Sequence, residues 1–295
     1  MESDDAARRT IGVVIRTLDE SELIGSCLES VRAQQGCFDL DFLVVDSGST
    51  DATVEIARSH GARIAELAPG DFDYSKALNL GIDEVRGEIV VSLSAHAIPV
   101  DDAWLQTMTA PFDDPAVAGV SSRQVPWPDA PWHEVKRLSE VFGEASRSCS
   151  RKSPGDVPFS NAASAIRRSA WREHPFTLPA VEDLDWARRI VAAGWEVVYE
   201  SGTAVYHSHR EGPRAQALRL IDINRLHHAR HSRLRSLREA AGHLRRNAHW
   251  IVALDDPSLR KLAYLAETVG TAWFYVVDFS RAGTTAERRR ESDVI

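Results

Sequence analysis

Cysteine is scarce: Cys27, Cys37 and Cys149 are the only three in 295 residues, an odd number with no C-x-x-C spacing. That excludes a disulfide framework and a zinc knuckle, and it fits a reducing cytoplasm. The first ten residues, MESDDAARRT, contain no apolar core region, which excludes a secretory signal of the usual kind. Long apolar runs are missing too. The most apolar late stretch, TVGTAWFYVV from Thr268 to Val277, is bounded by Glu267 and Asp278 and is too short to span a bilayer. The glycine-rich signatures G-x-G-x-x-G and G-x-x-x-x-G-K-[ST] are also absent, so dinucleotide and P-loop chemistry are disfavoured. The expected location is the cytoplasm, with the inner face of the membrane open to the C-terminal half.

What is present is an ordinary globular composition, 43% hydrophobic and 26% charged, enough for one large domain or a domain with an appendage. The net charge of -8 speaks against a general nucleic-acid binder. It is unevenly spread. Between Arg210 and Trp250 ten arginines face Glu211, Asp222 and Glu239, a net +7 that leaves -15 for the rest. Five histidines (His227, His228, His231, His243, His249) share that segment. It is either a solvated helix face or a surface for an anionic partner, a membrane or another subunit.

The first 125 residues alternate short apolar runs with helical patterns. Strands are predicted at 11–16, 41–46, 62–67, 88–93 and 117–122, with helices over 21–34 and from about 49 to Gly61. Runs apolar on both faces and joined by helices imply a mainly parallel sheet covered on both sides, a Rossmann-like α/β architecture. Ligands of such sheets bind beyond the carboxyl ends of the strands, which singles out Arg16-Thr17, Asp46-Ser47 and Ser94 to His96. A Pro- and Trp-rich insertion around a helix from His133 to Ser146 reads as a binding wall. Then come a short strand, an acid-led helix stopped by Gly194, and two further strands. The domain boundaries expected are 1–209 for the α/β unit, 210–280 for a helical extension and 281–295 for a disordered tail.

The ordered series VVIRTLDESELIGSCLESV, DFLVVDSGSTDATVEIA, DYSKALNLGIDEVRGEIVVSLSAHAIP, SNAASAIRRSAW and VEDLDWARRIVAAGWEV resembles family 2 glycosyltransferases of the GT-A fold across residues 10–209. The resemblance implies an inverting enzyme that moves a sugar from a nucleotide diphosphate to an acceptor hydroxyl. It implies nucleotide contacts at Thr17 and Asp46, and a base at Asp183 with Glu182 beside it. Asn79 matches the family's Arg-Asn-x-Gly stretch, whose Arg is here Leu78, and Lys76 is the substitute cation. Asp46 to Thr50 also reads as a turn and helix cap, and the acidic start Glu182-Asp-Leu-Asp as a turn that complements the helix dipole. For Trp186, core packing is favoured over stacking on a sugar.

The family's metal-binding Asp-x-Asp is replaced here by Ser94 and His96, and no acid lies nearer in sequence than Glu88 or Asp101. Magnesium is disfavoured by such ligands. Two arrangements stay open. In one, His96 joins His207 or His209 in a nitrogen-rich site for Mn2+ or another divalent cation. In the other, which the thin ligand set favours, no metal is used, and His96 with Lys76 or Arg210 meets the diphosphate directly. Strand alternation would keep His207 and His209 from both facing the site if the strand continued through them.

Similarity runs closest to bacterial rhamnosyltransferases, through DSGSTD and Phe72-Asp-Tyr-Ser-Lys-Ala-Leu-Asn-Leu-Gly81, which implies a deoxysugar donor such as rhamnose. The acceptor is expected to be a glycan, a lipid-linked glycan or a natural product, with Arg123, Gln124 and Trp127 on its side. The C-terminal helices would serve membrane contact or homodimerisation. A nucleotidyltransferase would need the missing acids. A catalytically inactive, nucleotide-sugar-binding relative would not, although the intact Glu182-Asp183 pair argues for catalysis.

Overall fold

Alternation along each strand decides which core layer a residue serves. In β1 (Arg9–Thr17), Ile11, Val13 and Ile15 join one hydrophobic layer and Val14 the other; Phe42 and Val44 of β2 (Phe38–Asp46) oppose Leu43 and Val45 in the same way. The first layer is covered by α1 (Ile24–Arg32), which buries Ile24, Cys27, Leu28 and Val31, and by α4 (Trp104–Thr109), which buries Trp104, Leu105 and Met108. The second is covered by α3 (Tyr74–Glu84), α6 (Arg168–Glu173) and α7 (Glu182–Ala193), through Leu78, Ile82, Trp171, Trp186 and Ile190. Both faces are thus dry, as the apolar runs predict.

The computed structural model describes residues 8–68, 71–150, 158–179, 181–209, 217, 233–253 and 258–277. The remaining elements are α2 (Thr53–Ser59), β3 (Arg63–Glu66), β4 (Ile89–Ser94), β5 (Ile98–Pro99), β6 (Val117–Val125), α5 (Trp132–Val141), β7 (Arg147–Cys149), β8 (Ala163–Arg167), β9 (Glu196–Tyr206), α8 (Arg233–Ala253) and α9 (Ser258–Val277). Strand order is β3-β2-β1-β4-β8-β6-β9-β5, with β7 paired to β9. Six strands run one way, and the short β5, β7 and β8 oppose them. The sheet is therefore mainly parallel and mixed on its second half.

Two close approaches depend on glycine. A Cβ on Gly81 would stand 2.3 Å from Val14 Cγ1, so its absence lets α3 lie directly on β1. Gly194 caps α7 at φ 110°, the left-handed conformation in which the predicted stop signal works. Two expectations are corrected. The two late strands are one, because β9 runs unbroken from Glu196 to Tyr206 and itself takes up the irregularity: consecutive Ser122 and Arg123 of β6 face Glu200 and Ala204. The insertion helix ends at Val141, and residues up to Ser146 leave it.

The chain divides into two units, Met1–Ala130 with Glu134–Ser208, and Pro131–His133 with His209–Ile295. In the second, α8 and α9 pack through Ala240, Leu244 and Ala272, together with Ala217. The expected tail over 281–295, the segment 151–157 and the histidines His227, His228 and His231 lie outside the described residues.

Candidate active site

Thr17, Asp46, Ser94, Val125 and Tyr206 end the five longest co-directional strands, so their neighbours gather along one edge of the sheet. Thr17 is buried and its Oγ1 has no hydrogen-bond partner. Asp46, also buried, turns its carboxylate onto its own loop: Oδ2 accepts from Gly48 N at 2.9 Å and Ser49 N at 3.0 Å, and Oδ1 from Ser49 Oγ at 2.5 Å. The turn expected over Asp46 to Thr50 is thus closed by the Asp46 carboxylate itself. Asp19, at φ 52°, accepts from Thr50 N at 2.6 Å, and Asp51 accepts from Ser21 N at 3.1 Å, stitching the loops after β1 and β2 together.

A tight turn, closed by Ala97 N donating to Ser94 O at 2.9 Å, carries His96 from β4 into β5. Beneath it the Cys27 thiol of α1 donates to Ala97 O at 3.4 Å. Burial, with the charge of Glu20 adding, pushes this thiol up to about 12, so it stays protonated as a donor. Pairing of Ile98 with Tyr206 then sets the end of β9 beside the turn. The His96 and His207 rings stack at a centroid distance of 4.9 Å, with Nε2 to Nε2 at 3.2 Å.

The other nitrogen of each ring is oriented from behind. His96 Nδ1 lies 2.6 Å from Glu20 Oε1, and His207 Nδ1 lies 2.9 Å from Gln124 Oε1. Both partners are acceptors, so both Nδ1 atoms carry hydrogen and the two Nε2 lone pairs converge. One proton or one cation can be shared between them. Two nitrogens bound at about 2.1 Å to one ion stand roughly 3 to 3.4 Å apart, which the observed spacing matches. A carboxylate behind a ligating imidazole is also the usual outer support of a metal site. The ligand atoms of His96, His207 and His209 all lie within 4.8 Å of one another. The alternation argument does not apply, because β9 stops at Tyr206 and the residues beyond it are no longer strand. Ser94 adds its Oγ at 3.4 Å from His96 Nε2.

The second cluster is built on Asn161, which is fully buried. Its Nδ2 donates to Glu182 Oε1 at 3.2 Å, and its backbone N donates to Asp183 Oδ2 at 3.4 Å. Its carbonyl accepts from Ser92 Oγ at 2.9 Å and from Arg16 Nη2 at 3.4 Å. Arg16 lies over the Tyr74 ring at 4.9 Å and places Nη1 3.7 Å from Glu182 Oε1. Val181, just before the acids, sits at φ 58°, a strained conformation for a β-branched residue and one that collects at functional sites. Burial and the neighbouring Asp183 raise the Glu182 carboxyl to about 7. Burial raises Asp183 as well, but Leu184 N, at 2.8 Å from Oδ1, and Asn161 N support its charged form. Of the pair, Asp183 is better fitted to stay ionised and Glu182 to hold a proton. The clusters adjoin, since Ser94 N donates to Ala162 O at 3.0 Å.

Several sequence assignments move. Gln124 is no acceptor contact: it is buried with its Oε1 on His207. Asn79 braces a loop, donating to Phe176 O at 2.9 Å and accepting from Trp171 Nε1 at 2.9 Å and Phe176 N at 3.1 Å. Lys76 is largely exposed and pairs with Asp73 at 3.6 Å, at the start of α3. Arg123 reaches Glu144 at 3.3 Å, and Trp127 stacks on Tyr206 at 5.0 Å. Trp186 is core, fully buried, with Nε1 donating to His174 O at 2.8 Å. Glu20 and Asn161 were given no role by sequence reasoning, and Arg16 was singled out only as a residue at the ligand-binding end of β1. The signals were present, an acid in the loop after β1 and an Asn in a quoted motif, but their partners are far away in the chain.

Residues 12–174 match the model of the family described as Glycosyl transferase family 2. The chain belongs to that family. It is a glycosyltransferase. The chain is 28% identical over 230 residues to the O-antigen chain rhamnosyltransferase RfbN of Salmonella typhimurium, covering 74% of this chain and 72% of that one. It is 29% identical over 197 residues to the O-antigen chain rhamnosyltransferase WbaN of Salmonella anatum, covering 63% and 62% respectively. Among solved structures, a mannosyltransferase from Pyrobaculum calidifontis in complex with GDP-Man and Mn2+ aligns with a TM-score of 0.56 at 20% identity, over 98% of this chain and 80% of that one. This family 2 transferase therefore shares the GT-A fold with that enzyme.

Proposed function

We propose that the protein is an inverting glycosyltransferase that moves a sugar, with a deoxysugar such as rhamnose as the leading donor class, from a nucleotide diphosphate to a hydroxyl of a glycan, lipid-linked or natural-product acceptor. The observation that carries this reading is the meeting of a carboxylate pair, Glu182 buried and Asp183 half-buried, with an oriented imidazole pair beyond the ends of β1 and β4. The similarity to two O-antigen rhamnosyltransferases supports the sugar class. Three free cysteines suit a cytoplasmic setting.

In this mechanism Asp183 takes the proton from the acceptor hydroxyl as its oxygen attacks the anomeric carbon. The bond from that carbon to the diphosphate oxygen breaks on the opposite side, so the configuration inverts. Arg16 and Asn161 hold the Glu182-Asp183 pair in place. Thr17 and Asp46 lie where the nucleotide would be held, with the orphaned Thr17 Oγ1 free to bond a ligand. Trp127 and Arg123 lie on the acceptor side.

His96, His207 and His209, backed by Glu20 and Gln124, have the donor set of a site for Mn2+, Zn2+ or Co2+, with Mg2+ the poorer fit. A divalent ion bound there supplies positive charge to the departing diphosphate. The test is release of nucleotide diphosphate from a panel of nucleotide sugars, with acceptor glycans, before and after EDTA treatment and readdition of single metals. Turnover that EDTA abolishes and Mn2+ or Co2+ restores better than Mg2+ is expected. Full activity in EDTA would transfer the diphosphate to the histidines themselves. Absence of both turnover and nucleotide binding would leave a catalytically inactive relative.

A further inference from the structure

Leu262, Leu265, Val269 and Trp273 are 62%, 40%, 51% and 56% exposed, and they fall on one stripe of α9. Ala266 and Gly270 lie between them. Spacings of three and four residues keep all six positions on one helix face over about 16 Å. The opposite face is the packed one: Thr268, Thr271 and Ala272 are buried, Ala272 against Ala240 and Leu244 of α8. The only acid in the α9 sequence, Glu267, lies off the stripe and accepts from Trp132 Nε1 at 2.6 Å. A contiguous apolar surface of this kind marks an interaction site.

We propose that this stripe docks on an anionic lipid surface, with α9 lying in the plane of the interface. No helix among the described residues is long and apolar enough to cross a membrane, which leaves the in-plane mode for an apolar face carrying Leu, Val and Trp. Charge selects the occupant. The segment 210–250 carries a net +7, and Arg238, Arg245 and Arg246 of α8 and Arg260 of α9 are exposed. Cations near a membrane surface draw a protein to acidic headgroups. A second copy of the chain fits poorly, because two such segments repel. Four partly exposed side chains also offer a few hundred Å2, short of the roughly 800 Å2 per partner of a stable interface. The remaining -15 of the chain is repelled by the same headgroups, so the approach is oriented.

The full chain is sedimented with vesicles of phosphatidylcholine alone and with vesicles containing about 30 mol% phosphatidylglycerol. Wild type should bind the anionic vesicles at least about tenfold better, and salt at about 0.5 M should remove most of that preference. Leu262→Asp with Val269→Asp should lose about tenfold or more in vesicle binding, with helix content and melting temperature retained because both side chains are exposed. Arg245→Gln with Arg246→Gln should flatten the salt dependence. Absence of binding to anionic vesicles, or binding unchanged in the aspartate variant, would overturn the proposal. So would a dimer in sedimentation velocity that the aspartate variant dissolves, since the face would then belong to a second copy.

Discussion

At one end of the strand-end cluster, buried Glu182 and half-buried Asp183 are acids whose counter-groups arrive with the fold: Arg16, the Asn161 amide and the backbone N–H of Leu184. At the other, His96 and His207 are oriented just as firmly from behind, by Glu20 and Gln124, yet their Nε2 atoms point at one another. The acids form a closed network with the protein supplying every partner. The imidazoles instead turn their Nε2 atoms toward each other, and with His209 they bring three ligand-type atoms within 4.8 Å of one another. A transferase needs both conditions, a base that keeps its charge inside the fold and a receptor for a charge that arrives with the donor.

The difference can be broken most severely at the closed end. Asp183→Asn should lower transfer by about 10²- to 10⁴-fold while leaving nucleotide binding intact by calorimetry, and retained turnover would remove Asp183 as the base. The open end should respond in ion affinity. Glu20→Ala should weaken Co2+ binding by about 10- to 100-fold and alter the visible absorption of the Co2+ complex. Glu20→Gln, which still accepts the His96 Nδ1 hydrogen, should lie between the two. Equal affinity in all three proteins would mean that Glu20 orients nothing.

The smallest effect expected is on stability. Folding raises the Glu182 carboxyl from 4.5 to about 7, so the folded chain binds this proton more tightly than the unfolded one. The resulting stabilisation is complete below the unfolded value and is lost as pH rises through the folded one. Glu182→Gln stays neutral throughout. It should therefore gain on wild type between about pH 5 and pH 8, by on the order of 1 to 3 kcal/mol in denaturant melts. A difference independent of pH would contradict burial of this proton.

The parallel strands were legible in the sequence because β1, β2 and β4 are apolar on both faces, and helices starting at cap-type residues separate them. Motif order also led to the positions that Asp183 and His96 occupy, in the first turn of α7 and just beyond the end of β4. What escaped were the residues that act on them from a distance. Glu20 reaches His96 across 76 positions, and Gln124 reaches His207 across 83. No local spacing encodes either contact. Gln124 was expected on the acceptor side, next to aromatic faces that suit sugar rings. Its register opposite Val205 buries it instead. The loop that Asn79 braces, ending at Phe176, likewise comes 97 residues later in the chain.

The two-residue strand β5 has an effect larger than its length. By pairing Ile98 with Tyr206 it joins halves of the imidazole pair that lie 111 residues apart in the chain. The loops after β1 and β2 can close as soon as their own strands meet, but the histidine pair exists only after β9 has been synthesised and added beside β6. Contacts of such long range form late, because the loop entropy must be overcome before they stabilise anything. A chain that stops short of His207 can therefore close the loops after β1 and β2 and still lack the imidazole pair.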